Sequence, residues 1–231
     1  MKKLVVTIDG PAGSGKSTTA KLVAQRLGYA YLDTGAMYRA IALKAIERHV
    51  DVSNPNDLAR LAEETDVRVE PDPQGTRVIL DGRDVTAKLR SVEVTRSASA
   101  VSAAKGVRTR MVEIQREIGS RGGIVAEGRD IGSVVFPRAD VKIYLDADLT
   151  HRAARRLKDL EAAGTVSEVR EVERDLSSRD ERDSTREHSP LCVPEGALVV
   201  DTTNLTIEEQ VTKVIEAVRA KAGEEDDAAP L

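Results

Sequence analysis

Eight residues leave this chain few folds to choose from. Gly10-Pro11-Ala12-Gly13-Ser14-Gly15-Lys16-Ser17 has the spacing G-x-x-x-x-G-K-[ST] of a phosphate-binding loop. The flanks agree with the motif. Leu4 to Ile8 is a short apolar, β-branched run that reads as a buried parallel strand. After the loop, Ala20, Val23, Ala24 and Leu27 recur at helical spacing, and Gly28 is a stop signal. Gly10, Gly13 and Gly15 let the backbone curl so that successive N–H groups point inward, at a helix N-terminus where an anion is favoured. Lys16 puts a positive charge on the terminal phosphates, and the Ser17 hydroxyl suits Mg²⁺. Residues Gly10 to Ser17, with Thr18, form the candidate ATP site. The motif alone does not choose the reaction.

The 231 residues suffice for one α/β domain with small inserts, and a net charge of −4 argues against a general nucleic-acid binder. Trp is absent and Phe136 is the only phenylalanine, so platforms for stacking bases are scarce. Cys192 stands alone, and no Cys/His cluster suggests zinc. Met1-Lys2-Lys3 and the apolar run after it resemble a signal peptide only faintly, because the run is short and leads straight into the loop. The expectation is a cytoplasmic protein that handles small molecules, with no nucleic acid and no membrane.

Further along, Tyr29 to Leu32 reads as a second strand, ending at Asp33-Thr34-Gly35. Met37, Ile41, Ala45 and Ile46 then share a helix face, which puts Tyr38 and Arg39 in its first turn. A cation there opposes the helix dipole, so Arg39 is either solvated or facing a bound anion. Ser53-Asn54-Pro55 opens a helix over 56–64. Residues 66–86 alternate and turn like an antiparallel meander, with Asp81-Gly82 as a hairpin signal, and suggest an insert at about 63–90. Ser91 to Ala103 has helical potential that Gly106 interrupts, and Val107, Met111, Ile114 and Ile118 mark the next helix. Ile124 to Ala126 and Val141 to Leu145 are strands that deliver Glu127-Gly128-Arg129-Asp130 and Asp146 at their carboxyl ends, where open α/β sheets gather ligands. Thr150 to Arg186 is helical and charged, with Arg152, Arg155 and Arg156 at i, i+3, i+4 and Arg179, Asp183 and Arg186 at i, i+4, i+7. A last strand over 197–200 and a last helix over 207–220 precede an acidic tail, 223–231.

A solvated, salt-bridged surface would account for arginines with so many acidic neighbours. A triphosphate loop beside them favours another reading. Phosphoryl transfer between two anions needs cations on both sides and a segment that closes to exclude water. Lys16 serves the donor side, Arg39 and Arg129 the acceptor side, and an arginine-rich hairpin supplies the closing segment. A phosphate acceptor is already a nucleophile, so His49, His151 and His188 are not needed as bases.

These segments resemble the bacterial cytidylate kinase family. The likeness rests on Ile8-Asp9-Gly10-Pro11, Leu32 to Arg39, Gly128-Arg129-Asp130-Ile131-Gly132 with Val134-Val135-Phe136-Pro137, and Arg179-Asp180-Glu181-Arg182-Asp183, across about residues 4 to 220. It implies a single P-loop kinase domain, 1–222, with a parallel sheet flanked by helices, a small antiparallel β insert and a helical lid at about 150–186. It also implies a monomer that makes CDP or dCDP from ATP, Mg²⁺ and CMP or dCMP. The catalytic set would be Lys16, Arg39, Arg129, Arg152 and Arg155, with Ser17 on the metal. The CMP site would be Thr34, Tyr38, Arg39, Ser99, Arg108, Arg129, Asp130, Arg179, Asp183 and Arg186. Of these, Arg39, Arg129 and Arg186 would hold the phosphate, Arg179 and Asp183 the ribose, and Ser99, Arg108 and Asp130 the cytosine edge. Glu127 stands where the family often carries aspartate.

Three rivals compete with this reading. Kinases of shikimate or gluconate are shorter and lack the meander and the Arg-Asp-x-x-Arg-Asp run. A GTP switch needs N-K-x-D, which Asn54, Asn56 and Asn204 do not supply. A sensor with an intact loop but no acceptor site is separated only by assay.

Overall fold

Short β-branched runs become strands here, and runs with apolar residues every three or four positions become helices. In chain order, the computed structural model contains β1 (Val5–Asp9), α1 (Lys16–Leu27), β2 (Ala30–Asp33), α2 (Thr34–Glu47), α3 (Pro55–Glu63), β3 (Val67–Asp72), β4 (Gly75–Leu80), β5 (Arg83–Asp84), α4 (Val92–Ala103), α5 (Lys105–Gly119), β6 (Ile124–Gly128), β7 (Val141–Asp146), α6 (Leu149–Ala162), α7 (Val169–Thr185), β8 (Leu198–Asp201) and α8 (Ile207–Asp226). A 3₁₀ turn spans Thr86–Lys88 and a π-helical turn spans Ile131–Val135. The structure describes residues 3–72, 75–162, 164 and 166–226. The chain falls into two compact units, Met1–Tyr29 with Gly122–Leu231, and Ala30–Arg121.

In the first unit β6, β1, β7 and β8 run parallel in that order. Val6 lies opposite Val125 and Val141, and Ile8 opposite Ile143, all buried, as a parallel sheet covered on both faces requires. Asp9 is registered with Gly128 and with Tyr144, so the carboxyl ends of three strands lie side by side. Gly10 leaves β1 with φ 147, and a Cβ there would sit 2.0 Å from the Leu145 carbonyl oxygen. Helix α1 begins at Lys16 and ends at Gly28, left-handed with φ 64, where the spacing predicted a stop. The charged region 150–186 forms two helices, the two arms of the expected hairpin. α6 and α7 pack on each other through Ala153, Val172 and Leu176, and the loop residue Ala12 joins that cluster. Helix α8 runs past residue 220 to Asp226, so 223–226 are helical where a tail was expected; 227–231 lie outside the described residues.

The second unit holds β2, helices α2 to α5 and the antiparallel sheet β3-β4-β5. The predicted meander is this sheet. Val67 pairs with Leu80, and Asp81 (φ 48) and Gly82 (φ 78) supply the two positive dihedrals of a tight hairpin turn. Two expectations change. Helix α2 starts at Thr34, where Asp33 caps it by accepting from the Ala36 N–H at 2.9 Å, so Tyr38 and Arg39 lie in the second turn rather than the first. The α4–α5 break falls at Ala104 (ψ 120), and Gly106 lies inside α5. A Cβ on Gly106 would come within 2.3 Å of the Ala59 Cβ, so this glycine serves the packing of α5 on α3. Val107 and Met111 are buried as expected, whereas Ile114 and Ile118 are only half-buried. Gln115 takes the buried position beside them.

Candidate active site

The first unit builds the phosphate loop from backbone constraints. Gly10, Gly13 and Gly15 all have positive φ, at 147, 78 and 95, which only glycine adopts without strain. Ser14 is buried, and its carbonyl oxygen lies 3.0 Å from the Thr202 hydroxyl, just after β8. Gln210 of α8 steadies the helix start by accepting from the Thr19 hydroxyl at 2.9 Å, and a Cβ on Gly15 would lie 2.7 Å from its Oε1. Lys16 is buried, and its Nζ donates to the Pro11 carbonyl at 2.6 Å. Burial first, and then Arg129, lower its pKa to about 7, against the pull of Glu127. The Ser17 hydroxyl donates to Glu127 Oε1 at 2.7 Å, so this glutamate reaches the end of the loop.

Ala12 is held by both α6 and α7. From α6, Arg152 donates to its carbonyl at 3.1 Å, and from α7, Asp180 accepts from its N–H at 3.4 Å. Arg152 and Asp180 are themselves ion-paired, and Arg152 Nε also donates to the Ala147 carbonyl at 2.9 Å. Arg155 goes elsewhere. Its guanidinium donates to the Thr202 hydroxyl at 3.1 Å and to the Thr202 carbonyl at 2.5 Å. The two arginines of one helical motif therefore have different partners.

The Gly128-Arg129-Asp130 segment meets the end of α7. Arg129 Nε donates to Asp183 Oδ2 at 2.8 Å, and Arg186 pairs with Asp130 at 3.5 Å; all four side chains are buried or nearly so. Burial would raise the pKa of Asp183, yet Arg129, with Arg179 and Arg186 beyond it, holds it below the usual carboxylate range. Arg179 is half-buried and acts on both Lys16 and Asp183 through its charge. Hence Arg129, Asp130, Asp183 and Arg186 come together with the charge of Arg179 beside them, although α7 ends at Thr185 and Arg186 has extended backbone, so it does not continue the helix face of Arg179 and Asp183.

In the second unit, Thr34 is buried at the first position of α2. Arg39 pairs with Asp33 at 2.8 Å, which explains a cation near a helix start, because the capping carboxylate neutralises it. Gly35 makes the room, since a Cβ there would lie 3.0 Å from Arg39 Nη1. The Arg108 guanidinium stacks 5.5 Å from the centre of the Tyr38 ring and donates to the Ser102 carbonyl at 3.1 Å. Ser99 is half-buried on α4.

Three residues escaped sequence reasoning. Asp180 sits in a run of alternating charge that gives no hint of its grip on Ala12. Thr202 lies in a plain loop yet touches Ser14. Asp9 carried a signal, an acid closing an apolar strand. It is fully buried and accepts from the N–H groups of Ile131 and Gly132, both at 2.7 Å, and burial pushes its pKa up to about 6.

Comparison with known proteins agrees with this geometry. The cytidylate kinase family profile matches residues 6–220. The cytidylate kinase of Carboxydothermus hydrogenoformans is 46% identical over 216 residues, which cover 94% of this chain and 97% of that protein. That of Symbiobacterium thermophilum is 46% identical over 220 residues, with coverage of 94% and 97%. That of Pediococcus pentosaceus is 43% identical over 216 residues, with coverage of 94% and 96%. Among solved structures, an uncharacterized protein from Eubacterium ventriosum is similar in fold alone, with TM-score 0.53, 8% identity, and coverage of 94% of this chain and 99% of that one. With the family profile matched over residues 6–220 and relatives matched almost end to end, this chain is an enzyme that belongs to the cytidylate kinase family.

Proposed function

We propose that this kinase moves the γ-phosphoryl group of ATP onto the phosphate of CMP or dCMP, releasing ADP and CDP or dCDP. One observation carries the reading. Lys16, at the donor loop, is buried so close to Arg129 and Arg179 that both lower its pKa. Cations for two phosphate groups thus share one electrostatic neighbourhood, which repels itself until anions arrive. The relatives named cytidylate kinases support CMP as the acceptor.

In this reading an oxygen of the CMP phosphate attacks the γ-phosphorus, and the bond to the β–γ bridging oxygen breaks, leaving ADP. The acceptor is already an anion, so no protein base is required. Lys16 and the loop N–H groups hold the donor phosphates. Ser17 and Glu127 form a hard, oxygen-only pair that suits Mg²⁺, which when bound with ATP would neutralise phosphate charge. Arg39, Arg129 and Arg186 grip the acceptor phosphate, as planar guanidinium forks do. Arg179 and Asp183 address the ribose, Ser99, Arg108 and Asp130 read the cytosine edge, and Thr34 and Tyr38 complete the CMP site. Asp130 accepts from the cytosine amino group, which uracil lacks, so the wrong base leaves a carboxylate unpaired. Arg152 reaches the transferring group by exchanging Asp180 for phosphate, and Arg155 braces the loop after β8. The resemblance further suggests a monomer in the cytoplasm.

ADP release measured with CMP, dCMP, UMP, AMP and no acceptor tests the proposal. CMP and dCMP should turn over fastest. ADP release that no nucleotide accelerates would reduce the protein to an ATP holder. Asp130→Asn should erode the preference for CMP over UMP by about tenfold, and an unchanged ratio would put base recognition elsewhere.

A further inference from the structure

Asp9 ends β1 one residue before the phosphate loop begins, and it is fully buried. A buried carboxylate is costly, and here burial pushes its pKa up to about 6. Asp130 raises that pKa further and Lys16 opposes it, while Tyr144 on β7 feels the charge in turn. What the carboxylate does with this charge is local and specific. Oδ1 accepts from the Ile131 N–H and Oδ2 from the Gly132 N–H, each at 2.7 Å.

Those two N–H groups open the π-helical turn Ile131–Val135, whose own N-cap residue, Asp130, makes no side-chain cap. Sheet pairing between β1 and β6 stops at Asp9 and Gly128. Beyond it the two chains part, one into the phosphate loop and the other into Arg129 and Asp130. The Asp9 carboxylate ties them together past the end of the sheet. The turn it holds is closely packed: a Cβ on Gly132 would lie 2.8 Å from Thr7 Oγ1, 3.1 Å from Asp9 Oδ2 and 3.1 Å from Pro194 Cγ. Two parallel donors need two acceptor atoms on one side chain, which a carboxylate has. An asparagine of the same shape offers one acceptor and turns a donor toward the other N–H.

We infer that Asp9 is a positioning residue for acceptor recognition: by holding the Ile131 and Gly132 N–H groups it sets Arg129 and Asp130 against the phosphate loop. This inference rests on the proposed acceptor role of those two residues.

The test compares the wild-type enzyme with Asp9→Asn and with Gly132→Ala, whose added methyl crowds the same turn against Thr7, Asp9 and Pro194. Three quantities are read: KM for CMP, KM for ATP, and the CMP-to-UMP ratio of kcat/KM. In both variants KM for CMP should rise about tenfold and the ratio should fall, while KM for ATP stays within about twofold. Unchanged CMP values in both variants overturn the inference. So does a common rise in both KM values with an earlier melting temperature, because that is what general loosening would give. Amide hydrogen exchange at Ile131 and Gly132 reads the tie with no substrate present and should speed up about tenfold or more in Asp9→Asn; unchanged exchange overturns it. If the wild-type protein turns over no CMP, the substrate reading falls and takes the acceptor role of Asp9 with it. Normal wild-type turnover with unaltered variants sinks Asp9 alone.

Discussion

The phosphate loop and helices α6 and α7 both carry cations, but different forces hold them. The loop hangs from β1, whose Val6 and Ile8 are fully buried, and its shape is fixed by glycines whose dihedrals other residues resist. Helices α6 and α7 share a small apolar cluster, Ala153, Val172 and Leu176 with Ala12 of the loop, and otherwise lean on charge pairs such as Arg152–Asp180. Buried apolar area is indifferent to ligands, whereas an arginine held by a carboxylate can exchange it for a phosphate at modest cost. The contrast teaches that the loop is held by packing and backbone conformation, and α6–α7 in larger part by charge pairs.

The sharpest way to break that contrast is Lys16→Ala. Transfer should fall by about 10³-fold or more, with circular dichroism unchanged, because the loop is held by backbone and not by this amine. Near-normal turnover would remove Lys16 from the donor site. Next comes Arg152→Ala, which takes away both the grip on Ala12 and the proposed contact with the transferring group. A drop in kcat of about 10²-fold is expected, with KM for CMP little changed. Arg155→Ala should cost less than Arg152→Ala, and an equal loss would show that the two arginines act alike after all.

Smaller effects test how the two regions are held. Leu176→Ala should destabilise the lid by about 2 kcal/mol, the low end for a leucine truncated in a small cluster. Hydrogen exchange should quicken across 149–185 while β1 and β6 stay protected. Uniform loosening would mean that lid and sheet form one cooperative core. The smallest effect is on pH dependence. Lys16 has its pKa lowered to about 7 in the folded protein against 10.5 for a free amine. The unfolded chain therefore binds the extra proton between these values, and stability without ligand should rise as pH climbs from about 7 toward 10. Asp9 has its pKa raised to about 6 from 3.8, so its contribution is full below 3.8 and is lost as pH rises through 6. Melting curves of the wild type, Lys16→Met and Asp9→Asn would separate the two windows, with shifts of about a few degrees.

Much of this was legible in the one-dimensional pattern. The phosphate loop, its strand and helix, the Asp81-Gly82 hairpin, Arg129 after β6 and Arg179 in α7 stand where the pattern put them, while Arg186 falls just past the helix end. The misses have identifiable causes. Met37, Ile41 and Ala45 mark the buried face of α2, but the helix begins with the cap, and Asp33 set that three residues earlier. Gly106 looked like a breaker because glycine usually is one, yet the constraint on it comes from Ala59, far away in the chain. Arg152 and Arg155 looked equivalent because one helical period relates them, and only their surroundings separate them.

On its own, the order of residues determined where the backbone must turn, which stretches bury an apolar face and which segments carry positive charge. Each of these depends on neighbours within a few positions, through glycine's missing Cβ or the period of a helix or strand. The tertiary structure decided which partner each buried charge meets: Asp9 with the Ile131–Gly132 turn, Asp180 with Arg152 and Ala12, Glu127 with Ser17, Asp33 with Arg39. A carboxylate finds its donor across strands and helices that only packing brings together, and burial then makes that meeting obligatory, because an unpaired charge away from water is too costly to keep.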